Sequence, residues 1–226
     1  MGTTLLMACG AITLTAAAQK GLQLGPKVIP SWAWFLNDND EAAAGSGLAY
    51  GFGVNYHFKE STGAGIDLIW SKDRQVIMRD GEKWEHELTF LKVPVLLHFS
   101  SGSTDKVPFL GYFGLEYVSL RKAHLLLNGR NVDQQAFFDQ NGVPIATLEP
   151  EDLFRANNIG IVLGLGPGWN ISERFQFTAI VRAEYLVHDP ENKDRAFYWG
   201  TDRLDTHLIT LGIDLGIRVI IPTSGS

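Results

Sequence analysis

From residue 22 onward the chain repeatedly alternates apolar residues with small or polar ones. In HLITLGIDLGIRVII (207–221), Ile209, Leu211, Ile213, Leu215, Ile217, Val219 and Ile221 form one unbroken row. Thr210, Gly212, Asp214, Gly216 and Arg218 form the other. A period of two marks a strand whose faces meet different surroundings. The same pattern recurs in RFQFTAIVRAEYLV (174–187), NIGIVLGLGPGWN (158–170) and GLAYGFGVNYHF (47–58). Four further segments follow it: LQLGPKVIPSWAW from 22, GAGIDLIWS from 63, TFLKVPVLLHF from 89 and PFLGYFGLEYVSL from 108. Helical periodicity is nowhere as regular, so the pattern predicts an all-β chain of eight strands. Pro26, Pro94 and Pro108 each remove a ladder donor and are expected at bulges or strand ends.

The connections alternate in length. KEST, SSGSTDK and NISE are short links, whereas 37–46, 72–87, 125–155 and 188–205 read as long polar loops. An antiparallel up-and-down barrel would collect the tight turns at one rim and the long loops at the other, as outer-membrane barrels do. The unbroken apolar row is then the lipid face and the mixed row the lumen face. Charges of lumen parity are Lys27, Asp67, Lys92, Glu116, Arg182, Glu184, Asp214 and Arg218. Four are basic and four acidic, the balance that an internal ion-pair network needs. An eight-stranded barrel is just wide enough for side chains to fill, so no open pore is expected.

Aromatic residues of lipid parity fall into two groups. Trp32, Trp34, Tyr50, Trp70, Tyr117 and Tyr185 lie near the long-loop ends of their strands, and Phe58, Phe99, Phe109, Trp169 and Phe175 near the tight turns. Two such belts are expected where amphipathic rings meet the two membrane interfaces.

Composition narrows the picture further. The chain has 226 residues, is 45% hydrophobic, and carries a net charge of −6, which gives no basic field for nucleic acid. Its single cysteine, Cys9, lies in the apolar N-terminal stretch MGTTLLMACGAITLTAAAQKG, so neither disulfides nor a cysteine zinc site is expected. That stretch, with Ala16-Ala17-Ala18, reads as an export signal over 1–18, although no Lys or Arg precedes its apolar run. Lipidation at Cys9 and an uncleaved segment are the alternatives. The barrel domain would occupy 19–226, with both termini in the periplasm.

The signal ending in AQKG, the strand GLQLGPKV, the proline-centred FLKVPVLLHF and the following VPFLGYFGLEY resemble the eight-stranded outer-membrane β-barrels of Bacteroidota, the porin-family or PorT-like proteins. The resemblance covers essentially all of 19–226. It implies an outer-membrane barrel without assigned biochemical activity, one branch being linked to protein secretion and gliding. Ile29-Pro30 in the first strand and the ending IIPTSGS, in place of a terminal aromatic, depart from the family pattern.

Candidate chemistry is sparse. His86 lies in the second long loop, His188 and Asp189 open the fourth, and Asp202, Asp205 and His207 close it. His188 with Asp205 or His207 is the group an enzyme would use at the rim, but no recognised spacing links them. Neither NVDQQAFFDQNG nor PENKD matches a calcium-loop pattern, and GLGPGWN lies within a strand rather than ahead of a helix. No catalytic residue, metal or cofactor is therefore expected. In the third loop, AFF (136–138) and LEPEDLF (148–154) are expected to cap the barrel mouth or to offer a partner surface, with Pro150 opening a short helix. The expected role is structural or loop-mediated, with the lipid bilayer and, through the long loops, extracellular or envelope proteins as partners. The alternative is a soluble lipocalin-like carrier of a small apolar ligand, which would invert the pattern: apolar inside, polar outside.

Overall fold

The computed structural model describes residues 21–36, 42–59, 61–79, 81–101, 107–133, 137–138, 144–145, 150–190 and 207–222. Eight long strands build it: β1 (Gly21–Leu36), β2 (Gly45–Lys59), β3 (Thr62–Arg79), β4 (Glu82–Ser100), β5 (Phe109–Leu127), β6 (Asn157–Asn170), β7 (Phe175–Leu186) and β8 (His207–Pro222). Each pairs antiparallel with its neighbours in sequence, and β8 returns to β1 from Gly21↔Pro222 to Leu36↔His207. The ring is closed. Closure matters in lipid, where an unpaired strand edge would strand its N–H and C=O groups without water.

Burial follows the period of two, with apolar residues outside. On β8, Ile213 is 39% exposed and Asp214 2%. On the outer wall Leu115 is 62% exposed, while the ionic residues face inward. A wall this apolar is at its lowest free energy in hydrocarbon, and it is the inverse of the soluble carrier's. Trp32, Tyr50, Trp70 and Tyr117 are exposed toward the long-loop rim, and Phe58, Phe99, Phe109, Trp169 and Phe175 toward the tight-turn rim. These are nine of the eleven expected belt residues, Trp34 and Tyr185 being half-buried, and the upper belt is tightened by stacking of Tyr50 on Trp70 at 6.3 Å.

Three boundaries differ from expectation. The segment 72–87 is not a loop. β3 and β4 stay paired up to Arg79↔Glu82, so the wall rises past the aromatic belt as a hairpin, with Gly81 at φ 80° between the two strands. Likewise β5 runs to Leu127, turns at Asn128-Gly129 (φ 49° and 79°), and Arg130–Asn131 pairs back on it. Asp-Gly and Asn-Gly are strong hairpin signals because both central residues of such turns take positive φ. Third, Pro26 and Pro94 lie at neither bulges nor strand ends, although Pro108 does precede β5. Beside Pro26 the β1–β8 ladder skips from Leu24↔Val219 to Lys27↔Gly216, and beside Pro94 the β3–β4 ladder skips from Ile66↔Val95 to Ile69↔Lys92. Register is unchanged across both gaps. The missing donor is absorbed by a local opening on one side, while the other side stays paired at Pro26↔Phe52 and Pro94↔Glu116.

The lumen is filled in layers. At the long-loop end Ala33, Leu88, Phe90, Val118, Ala123, Leu186 and Leu208 form an apolar cluster with Leu153 and Phe154. The ionic residues lie below it. Leu96, Leu110, Val162 and Ile180 pack against Tyr112 on one side of the barrel, and Ile29, Ala49 and Ile69 on the other.

Candidate functional site

All eight charged residues of lumen parity point inward. Seven belong to residues that are buried as a whole, and the Lys27 side chain is 7% exposed. Lys27 Nζ lies 2.7 Å from Asp67 Oδ2 and 3.2 Å from Asp214 Oδ2. The Tyr112 hydroxyl donates to Asp214 Oδ2 at 3.0 Å and accepts from Arg182 Nη1 at 3.5 Å. Arg182 reaches Glu184 at 2.5 Å and Glu116 at 3.3 Å, and Lys92 Nζ reaches Glu184 at 2.6 Å and Asp73 at 3.2 Å. The contacts run without a break from Asp67 to Asp73. Arg218 stands beside this chain, with Nη1 3.4 Å from Gln23 Oε1. Such a set is sustainable in a low-dielectric interior because each cation meets an acceptor.

Asp73 is the member that sequence reasoning missed, since it fell inside the segment assigned to a loop. Tyr112 was also missed. Only the lumen parity of PFLGYFGLEY could have pointed to it.

The network draws on six strands: β1, β3, β4, β5, β7 and β8. The remaining two, β2 and β6, contribute glycines at the same heights. A Cβ at Gly164 would overlap the Tyr112 ring, and one at Gly160 would come within 2.8 Å of Glu116 Oε1. The glycine rows are thus a floor on which neighbouring side chains lie flat to reach the barrel axis.

The mouth is stoppered. Pro150–Leu153 is a 3-10 turn, which bears out the short helix expected there. It delivers Leu153 and Phe154 into the apolar cluster. Ala123 N–H donates to Glu151 Oε1 at 3.2 Å and Arg155 N–H to the Pro190 carbonyl at 2.7 Å, pinning the segment at both ends. Of AFF, Phe137 and Phe138 pair with Ile145 and Pro144. Beyond the end of β5, Asp133 folds back to accept from Leu125 N–H and His124 Nδ1, both at 2.7 Å, and from Asn131 at 2.9 Å. Partial burial works against the Asp133 charge, but these partners outweigh it and hold the carboxyl below its ordinary range.

The rim histidines do not converge. The His86 ring faces inward against Phe154 at 5.6 Å, and the His207 ring lies against Tyr185 at 5.2 Å. The His188 ring is exposed, while its backbone N–H and carbonyl bond the Asn158 side chain. Asp202 and Asp205 lie outside the described residues. Among the described residues no three His, Cys, Asp or Glu side chains form a group that could hold a metal ion.

A closed antiparallel ring with lipid-facing apolar rows, two aromatic belts and an ion-paired interior defines an integral protein of the bacterial outer membrane. The chain belongs to the outer membrane protein beta-barrel domain family, whose model matches residues 1–216. In structure it is similar to Neisserial surface protein A, with TM-score 0.52 and 10% identity over 89% of this chain and 97% of that one. It is also similar to the outer membrane protein OprG from Pseudomonas aeruginosa, with TM-score 0.53 and 12% identity over 92% and 99%. At these identities the likeness is one of fold. No curated protein matches the chain in sequence.

Proposed function

We propose that the protein is a non-enzymatic element of the outer membrane that stabilises the envelope and presents its extracellular loops to envelope or extracellular proteins. The supporting observation is the lumen: an unbroken ionic chain from Asp67 to Asp73 beneath a mouth stoppered by Leu153 and Phe154. An interior committed to internal pairing leaves its wall and its loops as the parts that meet partners. Single-channel recording in planar bilayers tests this, with only small, brief events expected; large steady currents from pure protein would overturn it. The strands FLKVPVLLHF and VPFLGYFGLEY support a finer placement among PorT-like barrels tied to protein secretion. Deletion of the gene would then impair secretion, and intact secretion would count against that placement. Residues 1–18 act as the export signal in this reading, so the mature chain starts at Gln19, which N-terminal sequencing checks.

A further inference from the structure

The register between β4 and β5 shifts at one place. Thr89 on β4 pairs with Lys122 and Phe90 with Leu120, so Arg121 is an extra residue, a β-bulge. Leu120 packs inward and Ala123 is buried, whereas Arg121 and Lys122 are both exposed. Without the bulge, strict alternation would turn one of these cations into the apolar mouth. With it, two consecutive cations face outward. Bulges re-aim side chains in this way and recur at functional positions.

What they face is set by the register. Lys72 pairs with Thr89, and Thr89 with Lys122, so the two lysines flank one threonine across three adjacent strands. Two residues below Lys72 is Trp70 of the extracellular belt, and Tyr117 stands below Arg121 on β5. At about 3.3 Å per residue along tilted strands, the cations begin roughly 5–10 Å above the belt, at headgroup height. Lys72 is 58% exposed and shares Glu87 with Arg74, at 2.7 and 3.1 Å, while Lys83 takes Glu85 at 2.7 Å. No ion pair engages Arg121 or Lys122 among the described residues. The patch therefore holds five cations (Lys72, Arg74, Lys83, Arg121 and Lys122) against Glu85, Glu87 and, beside His124, Asp133, on a chain of net charge −6. The extracellular halves of the β7, β8, β1 and β2 outer faces carry no Lys or Arg among the described residues.

We propose that Lys72, Thr89, Arg121 and Lys122 form a binding site on the outer wall for the phosphate of an outer-leaflet lipid headgroup. The arginine fork and two ammonium groups supply charge-assisted donors, and the Thr89 hydroxyl lies between them. Beneath the cations the wall is continuously apolar, through Leu68 and Ile66 on β3, Val95 and Leu97 on β4, and Leu115 and Phe113 on β5. A donor cluster above an apolar track matches one molecule with an anionic head and acyl chains, lying lengthwise against the barrel. A soluble anion would have no use for the track.

The test uses full-length protein refolded in non-ionic detergent. Bisphosphorylated lipid A is the probe, and bound lipid is quantified by native mass spectrometry after detergent exchange. Wild type should retain it, and the Arg121→Ala/Lys122→Ala variant should retain it roughly 10- to 30-fold less tightly. Lys59→Ala at the opposite rim should behave as wild type. Dephosphorylated lipid A should not be retained, and millimolar inorganic phosphate should not displace the bound lipid. Heat-modifiable migration verifies folding, and Lys72→Gln provides the same comparison if the double variant does not fold. Equal retention by wild type and by folded charge variants would overturn the proposal. So would equal retention of phosphate-free lipid, or full displacement by free phosphate.

Discussion

Replacing Arg182 with Met tests whether the lumen is held by ion pairs or merely wetted. Arg182 is 1% exposed and contacts Glu184, Glu116 and the Tyr112 hydroxyl. Methionine keeps much of the stem's volume but none of the donors. Glu184 still has Lys92 at 2.6 Å. Glu116 loses the one ion pair it makes among the described residues and stays enclosed beneath Gly160. Removing one partner of a buried pair costs about 3–5 kcal/mol, because the other is left uncompensated. That is roughly two to three and a half decades in the unfolding equilibrium. Urea unfolding in lipid vesicles, followed by tryptophan fluorescence, measures it. Arg182→Met/Glu116→Gln should recover more than half of the loss, since an amide in place of the stranded carboxylate removes the charge at nearly constant volume. A single-variant loss below about 1 kcal/mol, the range of exposed pairs, would refute the reasoning and mean that water solvates these groups.

Gly164→Val should lower the urea midpoint by the equivalent of about 1–3 kcal/mol, because its side chain would displace the Tyr112 ring and its bond to Asp214; an unchanged midpoint would mean that the ring does not rest on β6. Ile213→Arg should cost about 2–4 kcal/mol near the bilayer midplane, and spin labels at 213 and 214 should report lipid and a crowded polar interior respectively. For Asp133, whose folded-state pKa lies below the ordinary 3.8, the stabilisation of the Asn128–Asp133 hairpin is present above that value and is lost as pH falls through the lower one. The Leu125 amide proton, bonded to Asp133 at 2.7 Å, should shift with a midpoint below 3.8 and stop titrating in Asp133→Asn; a midpoint at or above 3.8 would contradict this.

Strand number, face assignment and the eight lumen charges were all legible in the residues, because hydrocarbon imposes one rule on every outward position. Aromatic belts followed from the same rule applied at the two interfaces. Where the rule lapses, legibility did too. Above the membrane the hairpin of β3 and β4 has polar residues on its outer face, and its 72–87 stretch read as a loop although its Asp-Gly pair is a hairpin signal. Asp73 was lost with it. Arg121 and Lys122 fell between the strand segment ending at Leu120 and the loop expected from 125, and no role was read from them. Their shared outward direction depends on the bulge opposite Thr89, which arises between two strands and leaves no local signature in either.

Alternation by itself determined which residues face lipid, since that depends on each strand's own period of two. Only the closed ring decided who meets whom inside. Lys27 finds Asp67 and Asp214, and Arg182 finds Glu116, across strands up to 187 positions apart in sequence. Those meetings depend on the stagger between paired strands and on the room that Gly160 and Gly164 leave. Both are properties of the assembled wall, and no single segment carries them.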